Sequence, residues 1–238
     1  MKRKIITTSD GSKSIQIEDW NEQYHSKHGA IQEAKHVFIK HGLLYFCAEF
    51  SSVSHVKCHS EPCKESHPIN ILEIGFGTGL NAFLTLIEAE KLKQNINYVG
   101  VEAYPVDANE IDQLNYVNLI SETHKPEFEK MHGVSWEFQH QIHSGFLLEK
   151  QQKFFKDIAS KNEFDIVYFD AFGARVQPEL WTEDVFAIMY KTMKNNAVLV
   201  TYSAKGSVRR AMQAVGFSVE RLPGPPGKRE MLRARKMV

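Results

Sequence analysis

One short segment constrains the fold of this chain more than any other. Between Ile69 and Asn81 an apolar stretch ends in three glycines at alternate positions, and an amphipathic stretch follows. This order predicts a buried strand that turns sharply into a helix. Gly75, Gly77 and Gly79 let a ligand approach the backbone where a Cβ would collide with it. The free N–H groups at the helix start would face that ligand. The segment predicts a site for a nucleotide or nucleoside-like cofactor, and the alternative is a tight turn with spare glycines.

The spacing and charge of this motif separate it from two common phosphate-binding loops. The dinucleotide fingerprint spaces its glycines as Gly-x-Gly-x-x-Gly, and a P-loop continues into Gly-Lys-Ser/Thr, which does not follow here. Glu73, inside the strand, would repel a pyrophosphate but would suit a cofactor that carries a sulfonium and an ammonium group. The motif therefore favours S-adenosylmethionine, with Glu73, Thr78 and Asn81 joining the three glycines as binding residues.

Regular alternation of strands and helices from Ile69 onward predicts an α/β fold with a mostly parallel, doubly wound sheet. The turn between the last two predicted strands is too short for a crossover, so these strands must form an antiparallel hairpin. We therefore predict a Rossmann-like, S-adenosylmethionine-dependent methyltransferase domain over residues 69–238. Residues 1–68 would form a small N-terminal appendage with a hairpin, a helix and a loop.

The expected elements follow from hydrophobic periodicity and turn signals. The predicted strands are Lys4–Thr8, Ser14–Glu18, Ile69–Ile74, Ile96–Val101, Ser135–His140, Phe164–Phe169, Ala197–Tyr202, Phe217–Arg221 and Lys228–Arg235. The predicted helices are Ala30–His41, Thr78–Leu92, Val106–Val117, Lys125–Met131, Phe146–Ile158, Glu179–Met193 and Lys205–Val215.

Two acids at strand ends are candidates for the chemistry, because ligands in doubly wound sheets bind beyond the carboxyl ends of the strands. Glu102 ends the second strand, where a carboxylate can accept hydrogen bonds from both ribose hydroxyls of an adenosyl group. The alternative is a solvent-facing loop acid. Asp170 ends the fourth strand and would sit beside the methyl-bearing sulfur, where it can orient an amine and accept its proton. The alternative is a cap for the following turn.

Composition and charge narrow the class of protein. The 238 residues are 42% hydrophobic and 24% charged, and no apolar run is long enough to cross a bilayer. The N-terminus lacks a secretory signal and the three cysteines fit a reducing compartment, so we expect a cytoplasmic protein. The net charge is zero, yet residues 205–238 carry nine Lys or Arg against two acids. This asymmetry favours a nucleic-acid partner, and the alternative is a solvated charged face.

Cysteine and histidine side chains crowd the predicted loop before the first sheet strand. They are His55, Cys58, His59, Cys63 and His67. Zinc usually takes its four ligands from tighter Cys-x-x-Cys pairs than this spacing offers. We therefore expect no metal site.

Several longer motifs, in order along nearly the whole chain, resemble the methyltransferase part of the MnmC family. They are Tyr24-His-Ser26, Glu73-Ile-Gly-Phe-Gly-Thr-Gly-Leu-Asn81, Asp170-Ala-Phe172 with Pro178-Glu-Leu-Trp181, Thr201-Tyr-Ser-Ala-Lys-Gly-Ser-Val-Arg-Arg210 and Lys228-Arg-Glu-Met-Leu232. That family makes 5-methylaminomethyl-(2-thio)uridine at the wobble position of certain tRNAs. The resemblance implies a Rossmann-type fold, S-adenosylmethionine and a tRNA substrate.

On this resemblance Asp170 is the catalytic residue, and it deprotonates and orients the primary amine of the modified uridine. The expected substrate and tRNA contacts are Tyr24, Phe172, Tyr202, Lys205, Arg209, Arg210, Lys228 and Arg229. Phe172 and Tyr202 would flank the uridine, whereas the basic side chains would contact phosphates. For Arg209 and Arg210 the alternative is a solvated helix face.

Two departures from the family pattern affect what is expected. Bifunctional members carry an FAD-dependent domain for which this length leaves no room, so we expect a stand-alone methyltransferase. A separate enzyme would then supply the aminomethyl-uridine. Where family members often have Asp-Ala-Phe-Ala-Pro, this chain has Asp170-Ala-Phe-Gly-Ala174. The loss of that proline would loosen the loop after the catalytic strand.

Two other functions remain open at this stage. A spermidine-synthase-like aminopropyltransferase would have a similar fold and would use a decarboxylated form of the same cofactor, but the basic terminus argues against a polyamine substrate. A non-catalytic RNA-binding module would have no need for Glu73, Glu102 and Asp170.

Overall fold

An eight-stranded mixed sheet forms the centre of the computed structural model, which describes residues 2–50 and 67–237. Its strands are β4 (Ile69–Ile74), β5 (Ile96–Val101), β6 (Gln139–His143), β7 (Phe146–Gln151), β8 (Phe164–Phe169), β9 (Met193–Thr201), β10 (Phe217–Pro223) and β11 (Glu230–Lys236). They lie in the order β10-β11-β9-β8-β4-β5-β7-β6. A smaller antiparallel sheet holds β1 (Arg3–Thr7), β2 (Lys13–Ile17) and β3 (Glu22–Gln23).

The order of the strands places a topological switch point between β4 and β8. The chain runs outward from β4 to β5 and β7, then returns to β8 on the other side of β4. All of these neighbours are parallel. Nearly every residue of β4 and β8 is buried, as expected for central strands that are covered on both faces. Ligands of such sheets bind where the strand order reverses, so the loops after β4 and β8 mark the expected site.

Helices cover both faces of the sheet. They are α3 (Leu80–Leu92), α4 (Ala108–Ile111), α5 (Tyr116–Ile120), α6 (Lys125–Gly133), α7 (Glu183–Thr192) and α8 (Gly206–Ala214), with 3₁₀ turns at Glu122–His124, Phe155–Asp157 and Pro178–Trp181. The predicted helix over Val106–Val117 is divided in two. Asp107 and Glu110 form a capping box that starts α4, and the helix ends after one turn.

The predicted helix over Phe146–Ile158 is wrong, because its first six residues form β7. Inward and outward positions alternate along this strand, and Phe146, Leu148 and Lys150 are buried. Gly145, with φ +78°, closes a tight turn, and β7 pairs antiparallel with β6. The sheet therefore has an antiparallel hairpin at each end, whereas the sequence predicted only the C-terminal one, β10–β11.

The N-terminal residues pack directly on the main sheet. After the small sheet come α1 (Ala30–Ala34), a π-helical segment (Lys35–Leu44) and α2 (Tyr45–Phe50) in one continuous run. Phe38 packs on Tyr168 of β8, with ring centroids 5.2 Å apart. Gly42 lies so close to the Tyr168 ring that a Cβ there would come within 2.9 Å of it. Both parts of the chain thus share one hydrophobic core, while the division at residue 68 stays a prediction.

Two other expectations concern membranes and metals. None of the helices in residues 2–50 and 67–237 is long and apolar enough to cross a membrane. His55, Cys58, His59 and Cys63 of the predicted loop lie outside the described residues. Within the described part of the chain, no group of His, Cys, Asp or Glu side chains is arranged to hold a metal ion.

Candidate active site

A cavity of about 770 Å³ opens at the carboxyl ends of β4, β5 and β8, at the switch point. One side is formed by the glycine loop after β4 and the loops after β5 and β8. The other side is formed by residues 20–28 of the N-terminal segment together with Gly227 and Lys228 of the β10–β11 loop. The cavity therefore has a sheet wall and a wall built from the two ends of the chain. We call these the sheet wall and the terminal wall.

The glycine loop has the backbone conformation that its sequence predicted. Gly75, Gly77 and Gly79 have φ values of +91°, +49° and +69°, in the region that side chains disfavour. A Cβ on Gly75 would come within 2.7 Å of the Asp170 carbonyl oxygen, so close approach adds to the requirement. Gly75, Gly77 and Thr78 line the cavity, whereas Gly79 packs behind the loop against the ring of His132.

Glu102 directly follows β5 and lines the cavity, while its contact with a ribose stays a prediction. Its carboxylate accepts hydrogen bonds from the N–H of Gly77 (3.1 Å) and of Tyr104 (3.0 Å), and so joins the glycine loop to the end of β5. Burial raises the pKa of Glu102 above its ordinary value, while these hydrogen bonds oppose the rise. A carboxylate oxygen accepts more than one hydrogen bond, so both oxygens retain capacity for ribose hydroxyls.

A hydrogen-bonded chain links Glu73, Asn81 and Asp170. The Asn81 Nδ2 group donates to Glu73 Oε1 (2.8 Å) and to Asp170 Oδ2 (2.9 Å). Glu73 is 1% exposed, lies beneath the loop outside the cavity lining, and also accepts a hydrogen bond from the Tyr98 hydroxyl (2.9 Å). Burial raises the pKa of Glu73 well above its usual range. The contacts of Glu73 thus make it the support of Asn81, and its direct contact with a cofactor stays a prediction.

Asp170 lies in the cavity wall at the end of β8, and its backbone N–H donates to Ile74 of β4. Burial raises the pKa of its carboxyl to about 7, and the carboxylate of Glu33 adds to the rise. The hydrogen bond from Asn81 and the charge of Lys228 oppose it. A carboxyl group with this pKa can both accept and release a proton near neutral pH.

Whether this cavity fits S-adenosylmethionine depends on the groups it presents. Asn81 Oδ1 and Gln23 Oε1 are both buried without a hydrogen-bond partner, and both residues line the cavity. Unpaired buried acceptors of this kind are suited to an N–H donor such as the cofactor's ammonium group. The carboxylates of Glu102 and Asp170 add negative potential that favours its sulfonium. The residues present therefore fit the cofactor.

The residues suited to the adenine ring were missed by the sequence reasoning. Phe154, Phe155 and Lys156 come after β7, Tyr104 comes after β5, and all four line the cavity. The rings of Tyr104 and Phe154 meet edge to face, with centroids 6.0 Å apart. The signal was the aromatic pair after β7, which the incorrect helix over Phe146–Ile158 concealed.

An aromatic cluster lies near Asp170, where the sheet wall and the terminal wall meet. Phe172 lies between Trp20 and Tyr24, with ring centroids 5.7 and 5.0 Å away and nearly perpendicular planes. Tyr202 lines the same cavity, and its hydroxyl donates to the Ala171 carbonyl (2.8 Å). The structure thus places Tyr24, Phe172 and Tyr202 in the lining of this cavity and adds Trp20, which the sequence did not single out. Their contact with a base stays a prediction.

The basic residues expected at the tRNA separate into two groups. Lys228 lines the cavity, whereas Lys205, Arg209, Arg210 and Arg229 do not. Lys205 and Arg210 are exposed near the start of α8, and Arg229 is exposed in the β10–β11 loop. Their contacts with phosphates stay predictions.

The charge count of the C-terminal segment overstates its basic surface. Arg233 is 7% exposed and pairs with Glu220, and its guanidinium lies 3.4 Å from the ring centroid of Tyr45. Lys236 is 8% exposed and donates to Asn162 and to two backbone carbonyls. These cations fix β11 against its neighbours and are not available to a polyanion.

Comparisons with known proteins agree with this geometry. Residues 128–237 match the family described as S-adenosyl-L-methionine-dependent methyltransferase. The MnmC protein of Leptospira interrogans, named "tRNA 5-methylaminomethyl-2-thiouridine biosynthesis bifunctional protein", is 29% identical over 226 residues, which are 90% of this chain and 32% of that protein. The protein of the same name from Campylobacter fetus is 31% identical over 180 residues, which are 70% of this chain and 28% of that protein. The chain is thus similar in sequence to S-adenosyl-L-methionine-dependent methyltransferases and to the MnmC proteins. It spans about a third of the length of the MnmC proteins that it matches.

Solved structures show the same fold. The crystal structure of MNMC2 from Aquifex aeolicus aligns with 98% of this chain over 70% of the MNMC2 chain, with a TM-score of 0.77 and 24% identity. The crystal structure of spermidine synthase from Thermotoga maritima aligns with 98% of this chain over 72% of the synthase chain, with a TM-score of 0.51 and 14% identity. The predictions of a Rossmann-like methyltransferase fold, of MnmC-like sequence and of S-adenosylmethionine as cofactor are confirmed.

Proposed function

We propose that this protein is an S-adenosylmethionine-dependent N-methyltransferase that acts on tRNA. Its reaction would convert 5-aminomethyl-(2-thio)uridine at the wobble position to 5-methylaminomethyl-(2-thio)uridine. The observation that carries the proposal is the Asp170 carboxyl at the switch point, with aromatic side chains beside it on the terminal wall. The names of the MnmC relatives supply the nucleoside.

The state of the substrate amine explains why the site needs such a carboxylate. An alkylamine has a pKa near that of lysine, about 10.4, and is therefore protonated at neutral pH without a lone pair to attack. Asp170 accepts that proton and orients the nitrogen. Since burial raises the pKa of Asp170 from 3.8 to about 7, the proton transfer is easier by about 4 kcal/mol than it would be to an ordinary aspartate.

The remaining residues position the two reactants. S-adenosylmethionine, when bound, supplies the electrophilic methyl group. Glu102 would hold the ribose, Asn81 would accept from the ammonium group, and the glycine loop would allow the close approach. Tyr24 and Phe172 would pack on the uracil ring, with Trp20 supporting Phe172. Holding two reactants in this geometry removes much of the entropic part of the barrier.

The cellular setting of this reaction is part of the proposal. The aminomethyl-uridine must come from a preceding activity, and we propose that a separate enzyme or domain provides it. We place the reaction in the cytoplasm, together with tRNA.

A methyl-transfer assay tests the function directly. The protein is incubated with methyl-labelled S-adenosylmethionine and tRNA from cells that lack the final methylation, and the nucleosides are then separated. Label is expected in 5-methylaminomethyl-(2-thio)uridine, and tRNA that already carries this nucleoside serves as the control. Aminopropyl transfer from decarboxylated cofactor to a polyamine, with unlabelled tRNA, would favour the synthase-like alternative instead.

A further inference from the structure

The loop that carries Lys228 is held firmly against the N-terminal segment. Gly227, with φ +82°, lies so close to the His28 ring that a Cβ would come within 2.1 Å of it. The carbonyl of Pro223, at the end of β10, lies 2.8 Å from the Nε2 atom of His36, within hydrogen-bond distance. Within the loop, the N–H of Lys228 donates to the Pro225 carbonyl (2.9 Å). The backbone of Lys228 is therefore fixed by contacts between the two ends of the chain.

Lys228 and Arg229 are adjacent basic residues, but their environments differ. The Lys228 side chain is 31% exposed and points into the cavity, where its Nζ forms an ion pair with Glu33 at 2.5 Å. Its Nζ also lies 3.8 Å from the centroid of the Tyr202 ring. Arg229 is exposed and does not line the cavity. The geometry suits Arg229 for a phosphate and commits Lys228 to the interior.

The partners of Lys228 connect it to the catalytic carboxylate. Glu33 is 7% exposed, and its second oxygen accepts from the Ser26 N–H (2.9 Å), which fixes the ion pair in place. Tyr202, whose ring faces Lys228, donates its hydroxyl hydrogen bond to Ala171, the residue after Asp170. The lining of the cavity described above includes Glu33, Lys228, Tyr202 and Asp170.

We propose that Lys228 and Glu33 form a positioning pair that sets the charge around Asp170, the carboxylate that accepts the proton of the substrate amine. In this role Lys228 does not contact the tRNA backbone. This inference rests on the proposed function. The pair supplies one positive and one negative charge from opposite ends of the chain. The charged surroundings of Asp170 are therefore complete only when the N-terminal segment and the β10–β11 loop pack against each other.

The electrostatics give the two members opposite effects. The carboxylate of Glu33 raises the pKa of Asp170, and the ammonium of Lys228 lowers it. The other titratable groups near Asp170 are Glu73, which shares the Asn81 amide with it, and the Tyr202 hydroxyl. Substituting the pair also changes the charge near Tyr202, but burial holds the pKa of this hydroxyl well above its ordinary value and keeps it protonated over the pH range tested. Removal of Lys228 should thus make Asp170 hold its proton to higher pH, and removal of Glu33 should do the reverse.

The pH dependence of methyl transfer at saturating substrates tests this pair. In Lys228→Met the acidic limb of the kcat profile should move to higher pH by about one unit, and in Glu33→Gln it should move to lower pH. Lys228→Arg keeps the charge and should restore most of the original profile. A merely structural pair would leave the limb in place or move it in the same direction in both variants, and either result overturns the proposal.

A second measurement does not depend on methyl transfer. The affinity for S-adenosylmethionine, measured by calorimetry from pH 5.5 to 8.5, should rise as Asp170 ionises, and that rise should move with the same signs in the two variants. The neutral product S-adenosylhomocysteine is the control ligand and should show a weaker pH dependence. If the wild type binds cofactor with this pH dependence but methylates no tRNA, the proposed substrate fails and the pair stands. If the variants leave the pH dependence of binding unchanged, the pair fails.

Arg229→Met is the matched control for tRNA binding. It should weaken tRNA affinity several-fold and reduce the slope of affinity against salt by about one, as loss of one phosphate contact does. Lys228→Met should leave that slope unchanged. A reduced slope in Lys228→Met would make Lys228 a phosphate contact and overturn the proposal.

Discussion

The sheet wall and the terminal wall of the cavity are built in different ways. The sheet wall comes from loops that directly follow β4, β5 and β8, so each functional side chain lies within a few residues of a strand with a clear sequence pattern. The terminal wall joins residues 20–28 to residues 227 and 228, nearly the whole chain apart. The residues that we propose for the cofactor are therefore local in the sequence, whereas those that we propose for the substrate depend on how the two ends of the chain pack together.

The largest expected effect concerns the residue where the two walls meet. Asp170→Asn keeps the shape and the hydrogen bonding of the side chain but cannot accept the amine proton. We expect kcat to fall about 10²- to 10⁴-fold, the usual range for loss of a general base. Cofactor affinity, measured by calorimetry, should fall far less. Equal losses in turnover and in affinity would instead make Asp170 a binding residue of the sheet wall.

The second prediction concerns the pH dependence of folding stability and two histidines, one on the terminal wall and one behind the glycine loop. Burial lowers the pKa of His25, on the terminal wall, and of His132, behind the glycine loop, to about 4 from an ordinary 6.5. Each of these two rings therefore binds more protons in the unfolded state than in the folded state between pH 6.5 and 4. The stabilising contribution of each neutral ring should be complete above pH 6.5 and be lost as the pH drops, at up to about 1.4 kcal/mol per pH unit for each histidine.

Chemical unfolding at several pH values measures this loss. His25→Asn and His132→Asn should each remove part of the slope between pH 6.5 and 4. His140→Asn is the control, since the ring of His140 bonds to Ser135 at the surface. An unchanged slope in both variants would contradict a neutral, buried state for these rings.

The third prediction concerns the sheet wall alone. Gly75→Ala places a methyl group 2.7 Å from the Asp170 carbonyl oxygen at φ +91°. The backbone conformation alone disfavours a side chain by about 1–2 kcal/mol. We expect cofactor affinity to fall at least tenfold, as measured by calorimetry. Gly133→Ala is the matched control, because nothing lies within 4 Å of its added Cβ and its φ is not positive. Equal affinities in the two variants would show that the loop tolerates side chains.

The same division explains what could be predicted from the sequence. The glycine loop, Glu102 and Asp170 were recognised because each adjoins a strand with strong periodicity. Glu33 and Gln23 were missed, since nothing near them in sequence distinguishes a cavity side chain from a surface one. Phe154 was missed because β7 mixes apolar and charged residues in a way that also suits a helix.

Basic residues show a second limit of sequence reasoning. Arg229 and Arg233 have the same charge and are four positions apart, yet one is exposed and the other is buried beside Tyr45. Arg229 lies in the loop before β11, whereas Arg233 lies within β11, whose pairing with β10 and β9 brings this residue beside Glu220 and Tyr45. Composition does not show how β11 pairs with its neighbours. The net charge of the segment therefore indicates the charge of a favoured partner, but not the residues that would contact it.

The smallest expected effect lies on the terminal side, outside the cavity. Arg210 is exposed near the start of α8, and its replacement by Met removes one cation without disturbing a buried contact. We expect tRNA affinity to fall a few-fold and the salt slope to decrease by about one, with kcat at saturating tRNA unchanged. Lys91→Met, at the end of α3 and ion-paired with Glu88, is the control and should change neither quantity. Filter binding at several salt concentrations measures both variants. If Arg210→Met behaves like Lys91→Met, α8 faces solvent, and the tRNA must approach over the β10–β11 loop and the N-terminal segment alone.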